Sequence, residues 1–290
     1  MKNRLKDLKN AKAKSISTAE KVSCSVFSEE LGFPYLVKSV LSGTSLSYWL
    51  KENRSLFDEK LLKHGGVLFR GFEIDTVEKF QGLVSFFSPE TLEYKQRSSP
   101  RYEVGKNVYH STTYPADQPI EMHSESSYSR QAVSNIIFCC IVPAEEGGET
   151  PIADNRKVLE LLSDELRDKF RKLGVRYVRN ISPTIGLSWQ EIFQTEDKAE
   201  VEAECQRNEM DFKWFTDEKL SLYWTNDAIV SHPITGEDTW FNHAFFFNKY
   251  VLGSGDLAEV CDETELPFHT SFGDGSVSYT HLTLPTSTHG

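Results

Sequence analysis

The longest apolar stretches of this chain, such as Ile136-Ile137-Phe138-Cys139-Cys140-Ile141-Val142, stop at about seven residues. A helix that crosses a bilayer needs roughly 20. No membrane span is therefore expected, and the chain must fold from short elements that each bury one face. Its 290 residues suit one large domain or two small ones.

The pattern along the chain predicts those elements. Leu56 to His64 reads as a helix stopped by Gly65-Gly66. Val67 to Arg70 follows as a short strand. Asp75 or Thr76 then caps a helix through Phe87, with Val77, Phe80, Leu83, Val84 and Phe87 at helical spacing. Asn135 to Val142 is expected to be an apolar strand, and Glu146 to Thr150 a turn. Ser163 opens a helix to Leu173, with Asp164 and Glu165 complementing its dipole. Val175 to Ile181 returns as a strand. Trp189 to Gln206 reads as one helix with a charged second half. Leu220 to Val230 reads as a strand, and Thr235-Gly236-Glu237-Asp238 as a hairpin turn into Thr239 to Asn242. Strands of this kind, with helices before and between them, predict a mainly β chain with helical insertions, an antiparallel sandwich or jelly roll.

Charge and cysteine usage narrow the setting. The net charge is −11, from 43 acidic and 32 basic residues. That argues against nucleic acid as a partner, because phosphate binding needs a basic face. The N-terminus from Met1 to Lys14 is basic but has no apolar core, so it is not read as a secretory signal. Five cysteines with no C-x-x-C pair suit free thiols in a reducing cytoplasm. Cys139 and Cys140, inside the apolar run, are expected to behave as small buried hydrophobes.

One motif carries chemistry. In Glu121-Met122-His123-Ser124-Glu125-Ser126-Ser127-Tyr128, an imidazole and a carboxylate stand two residues apart. On extended backbone, residues i and i+2 point to the same side. His123 and Glu125 can then share one divalent metal. With a third ligand from elsewhere they would make the triad used by non-haem iron oxygenases, which leaves positions open for cosubstrate and oxygen. Alone, H-x-E is common, and a surface His and Glu on a loop is the plainer reading.

The flanking segments make the motif specific. His64 to Phe72, Ser111 to Asp117, Ile120 to Tyr128, Phe138-Cys139-Cys140, Gly147 to Arg156, His232 to Glu237 and Trp240-Phe241-Asn242 occur in one order. In that order they resemble the taurine dioxygenase (TauD/TfdA-like) family of Fe(II)- and 2-oxoglutarate-dependent oxygenases, in the branch with Glu as carboxylate ligand. The likeness covers roughly residues 60–275. It implies a double-stranded β-helix, or jelly roll, and O2-dependent hydroxylation with 2-oxoglutarate as cosubstrate. It also implies a small substrate, amino-acid-like and either free or carrier-tethered. His123 and Glu125 match the first two iron ligands, and Thr150 the threonine that contacts 2-oxoglutarate. Asn242 is expected to approach the substrate pocket. His243 is not expected to be a ligand, because the family places its third ligand much nearer the C-terminus.

The same comparison marks a departure. The resemblance stops after Gly273-Asp274-Gly275, and no arginine follows Arg207. Relatives continue to a distal His and to an Arg that grips the far carboxylate of 2-oxoglutarate. Residues 276–290 instead resemble translated adapter sequence. The organisation expected is a polar arm over 1–30, an oxygenase domain incomplete at its C-terminus over 31–275, and a non-native tail. His269, His281 and His289 stand outside the family's context for a third ligand. Weak Fe(II) binding and little turnover are therefore expected of this chain. The competing readings are a non-catalytic, cupin-type β-barrel that binds a metal or ligand, and an interaction module with no metal. The oligomeric state is not legible.

Overall fold

The structure, a computed structural model, describes residues 21–87, 91, 102–111, 120–130, 133–184, 186–248 and 266–276. They fall into two compact units, one within residues 1–89 and one within 90–290. Eleven strands and seven helices occur among the described residues, so the chain is mixed α and β.

The first unit is a three-stranded sheet covered by helices. Strand β1 (Val22–Val26) pairs antiparallel with β2 (Tyr35–Ser39), and β2 pairs parallel with β3 (Val67–Arg70). Parallel neighbours need a crossover. It contains α1 (Leu46–Glu52) and α2 (Arg54–His64). Helix α2 ends where Gly65 turns left-handed at φ 69°, and the Gly65 N–H closes on the Leu61 carbonyl. Helix α3 (Val77–Phe87) starts with the Thr76 hydroxyl accepting from the Lys79 N–H. Val37, Trp49, Leu50, Phe57 and Leu83 form the buried centre. Strand β1 lies inside the stretch expected to be a polar arm. Its Val22 is buried in that centre, which gives a short polar-looking segment a reason to be a strand. The rest of the arm, residues 1–20, and the tail from 277 onward lie outside the described residues.

The second unit carries a four-stranded antiparallel sheet in the order β11-β6-β8-β7. Its strands are β6 (Val175–Ile181), β7 (Asp211–Trp214), β8 (Leu220–Asn226) and β11 (Phe268–Phe272). A hairpin of β9 (Ile229–Ser231) and β10 (Asp238–Trp240) and a small pair of β4 (Glu103–Gly105) and β5 (Val108–Tyr109) complete its strands. Four helices accompany them: α4 (Asn155–Leu161), α5 (Asp164–Leu173), α6 (Trp189–Phe193) and α7 (Lys198–Arg207). Each starts on a capping side chain, from Asp154, Ser163, Ser188 and Asp197 respectively. Phe170, Val175, Tyr177, Leu220 and Phe272 are fully buried at the centre.

Two glycines let α5 join this sheet. Gly174 leaves the helix at φ 66°, where a Cβ would stand 2.5 Å from the Asn226 carbonyl oxygen. A Cβ on Gly273 would run into the Leu173 carbonyl oxygen. Backbone meets backbone at both points, so neither position has room for a side chain.

Three sequence expectations differ from the structure. Trp189 to Gln206 is two helices, because Gln194 turns left-handed and Asp197 starts a second one. Leu220 to Val230 is likewise broken between β8 and β9. Asn135 to Val142 is irregular, and Ile136, Phe138 and Val142 are 50, 56 and 83 % exposed. A strand needs a neighbour to take its backbone hydrogen bonds. No described strand pairs with this run, and Cys140 is exposed rather than packed as a small hydrophobe.

Candidate metal centre

His123 and Glu125 sit on irregular backbone, not on a sheet strand. The segment runs into two overlapping turns, with Ser127 N–H donating to the Ser124 carbonyl (3.1 Å) and Ser129 N–H to that of Ser126 (2.9 Å). Ser126 takes the left-handed conformation at φ 56°. His123 Nε2 and Glu125 Oε2 converge to 3.6 Å, with their side chains 25 and 20 % exposed.

The tautomer of His123 follows from its partner. His123 Nδ1 lies 2.8 Å from the Glu121 carbonyl oxygen, which can only accept. Nδ1 therefore carries a proton, and the neutral form of the ring has its lone pair on Nε2. Metal-binding histidines are commonly oriented in this way, by a second hydrogen bond from the other ring nitrogen. The 3.6 Å gap is too long for a hydrogen bond. Two metal–ligand bonds of about 2 Å can span it.

The turn after the motif is fastened to the core. The Tyr128 carbonyl accepts from Trp224 Nε1 (2.7 Å) and Asn226 Nδ2 (2.9 Å), both on β8. Ser127 Oγ meets His243 Nδ1 at 2.7 Å, both side chains being buried. The His243 backbone N–H donates to the Tyr177 hydroxyl on β6 (3.0 Å). Asn155 Nδ2, in the first turn of α4, donates to Ser124 Oγ (3.0 Å). Phe246 packs on His123 with ring centroids 4.4 Å apart, and the His243 ring lies 5.4 Å from that of His123. Burial pushes the His243 imidazole down to about 3, aided by His123 and opposed by Glu125. It is therefore neutral near pH 7.

The other predicted residues are placed as follows. Thr150 is exposed on the irregular segment that leads to Asp154, the cap of α4. Asn242 is buried. Its Nδ2 donates to the Ala228 carbonyl (2.8 Å), and its Oδ1 accepts from the Ala244 N–H (2.9 Å). His269 is buried on β11, across from Val178 on β6. His281 and His289 lie outside the described residues. Among the described residues, no three His, Cys, Asp or Glu side chains gather as a metal cluster. Among the described residues, the His123–Glu125 pair is thus a two-ligand set. The anchors Ser127, Tyr177, Trp224 and His243 were not found from the sequence. Ser127 and His243 are 116 residues apart, and no local signal links them.

Comparison with known proteins now decides the family. A model of the taurine catabolism dioxygenase TauD, TfdA family matches residues 30–282. The chain belongs to the TauD/TfdA family. It is 42 % identical over 222 residues to the dapdiamide synthesis protein DdaC of Enterobacter agglomerans, covering 75 % of this chain and 67 % of that protein. It is 31 % identical over 240 residues to a clavaminate synthase-like protein of Arabidopsis thaliana, covering 78 and 69 %. TauD/TfdA proteins are 2-oxoglutarate-dependent dioxygenases that typically use Fe(II). The donors here fit such an ion in kind. An imidazole and a carboxylate are ligands that first-row divalent metals accept.

Proposed function

We propose that the chain is an Fe(II)- and 2-oxoglutarate-dependent dioxygenase that hydroxylates a small amino-acid-like substrate. The observation that carries this is the convergence of His123 Nε2 and Glu125 Oε2, with Nδ1 committed to the Glu121 carbonyl. Names of relatives, one for dapdiamide synthesis and one as clavaminate synthase-like, support the substrate class. The four-stranded antiparallel sheet supports the double-stranded β-helix implied by the family.

When bound, Fe(II) with 2-oxoglutarate and O2 supplies the oxidising power that breaks an unactivated C–H bond. The protein's residues do the rest. His123 offers its Nε2 lone pair, and Glu125 offers a carboxylate beside it. Thr150 would help hold 2-oxoglutarate through its hydroxyl. The segment that carries Thr150 ends at α4, where Asn155 bonds to Ser124, the residue between the two ligands. That bond supports bringing the two segments to one site. Phe246 and His243 pack beside His123 and keep water from that side. Asn242 ties the Ala228 carbonyl to the Ala244 N–H and so fixes the backbone on either side of His243.

Anaerobic titration calorimetry with Fe(II), on the wild type, His123→Ala and Glu125→Ala, tests the site. Each substitution is expected to weaken binding at least ~10-fold, and wild-type affinity in both would overturn it. Succinate release in the presence of a panel of free and carrier-bound amino acids reads the substrate class. The same titration reads the weak binding expected from the sequence.

A further inference from the structure

We infer that His243 is a positioning residue for the His123–Glu125 pair, acting through Ser127; the role as stated rests on the proposed metal centre. His243 is held from two directions. Its backbone N–H is fixed to the Tyr177 hydroxyl on the central strand β6, and its Nδ1 meets Ser127 Oγ, two residues after Glu125. The ring is wedged among Tyr128, Phe246 and Phe247, at centroid distances of 5.0, 5.5 and 4.9 Å. His243 is only 3 % exposed and Ser127 only 4 %. The bond between them is therefore shielded from water, and breaking it strands two buried polar groups.

The need for such a peg is visible in the backbone. Glu125 sits inside a turn opened by Ser124, and the next residue, Ser126, is left-handed without being glycine. That conformation persists only where the surroundings enforce it. Tyr128, anchored by Trp224 and Asn226, holds the far end of the turn. Asn155 holds Ser124 at the near end. His243 supplies the bond between them, so it sets the direction in which Glu125 leaves the backbone. Partners bonded directly to a ligand tune metal affinity by roughly 10–100-fold, and His243 acts on Glu125 one step further out, through the backbone at Ser127.

The test uses the full chain and Co(II) as probe. His243→Phe keeps the ring packing and removes the hydrogen bond. Its Co(II) affinity is expected to fall at least ~10-fold with little change in melting temperature. His243→Asn places an amide nitrogen or oxygen near the position of Nδ1 and is expected to recover most of that loss. Ser127→Ala is expected to match His243→Phe, and the double variant to lose no more than either alone. Wild-type affinity in a folded His243→Phe, or losses that simply add, would overturn the inference. If the wild type takes up no Co(II), the metal-centre reading falls. The positioning role is then decided by hydrogen exchange of residues 121–130. Exchange at least ~10-fold faster in His243→Phe upholds it, and unchanged exchange overturns it.

Discussion

Residues 120–130 and 133–153 are both irregular, yet they are built in opposite ways. The first is polar in sequence and buries Ser127 and Tyr128. The second contains the most apolar run of the chain and leaves Phe138 and Val142 exposed. The difference lies in partners. Tyr128, Ser127 and Ser124 each reach another element through a hydrogen bond, whereas no described strand takes up the backbone of 135–142. Hydrophobicity therefore did not decide which segment joins the core. Specific long-range polar contacts did, and they hold the segment that carries His123 and Glu125.

The largest expected effect breaks the fastening of the first segment. Trp224 stacks on Tyr177 at 5.3 Å and donates to the Tyr128 carbonyl. Trp224→Ala should cost about 3–5 kcal/mol by urea unfolding. A loss under ~1 kcal/mol would show that the turn is not held through β8.

A smaller effect is expected at the end of the second segment, and it depends on pH. Burial would raise the Asp154 carboxyl, but hydrogen bonds from the Arg156 side chain and backbone reverse this and hold it below the usual carboxylate range. A depressed carboxylate contributes stability above its unfolded value of ~3.9. That contribution is lost as pH falls through the lower folded value. Asp154→Asn keeps a side-chain acceptor for the cap but loses the charge. Its stability deficit relative to wild type should be full at pH 6 and shrink towards pH 3. A deficit that is constant over that range would remove the Asp154–Arg156 pair from the account.

The smallest effect sharpens the contrast. Phe138→Ser, at an exposed position, should change unfolding stability by no more than ~0.5 kcal/mol. A cost of several kcal/mol would mean that the segment is packed in solution, and the two regions would then not differ as described.

Much of the frame was legible because its signals are local. Ser163 capping a helix to Leu173, the Gly65 stop and the strands Val67–Arg70 and Val175–Ile181 were all readable from caps, glycines and periodicity. The split of Trp189–Gln206 was missed because a left-handed glutamine carries no sequence mark. The strand expected over 135–142 failed for a different reason. Apolar content makes a strand possible, but a neighbour must complete it.

At the site, the H-x-E spacing and its ordered flanks determined by themselves which imidazole and which carboxylate to bring together, and in which family to look. Spacing of two residues is a local property, so it is legible without knowledge of the fold. Only the tertiary structure decided that His123 Nδ1 donates to the Glu121 carbonyl, what holds Glu125 in its turn, and that His243 stands behind them. Those depend on Tyr177, Trp224, Asn226 and Ser127 meeting across separate elements. Hydrogen bonds between such distant residues are fixed by packing, which no short stretch of sequence encodes.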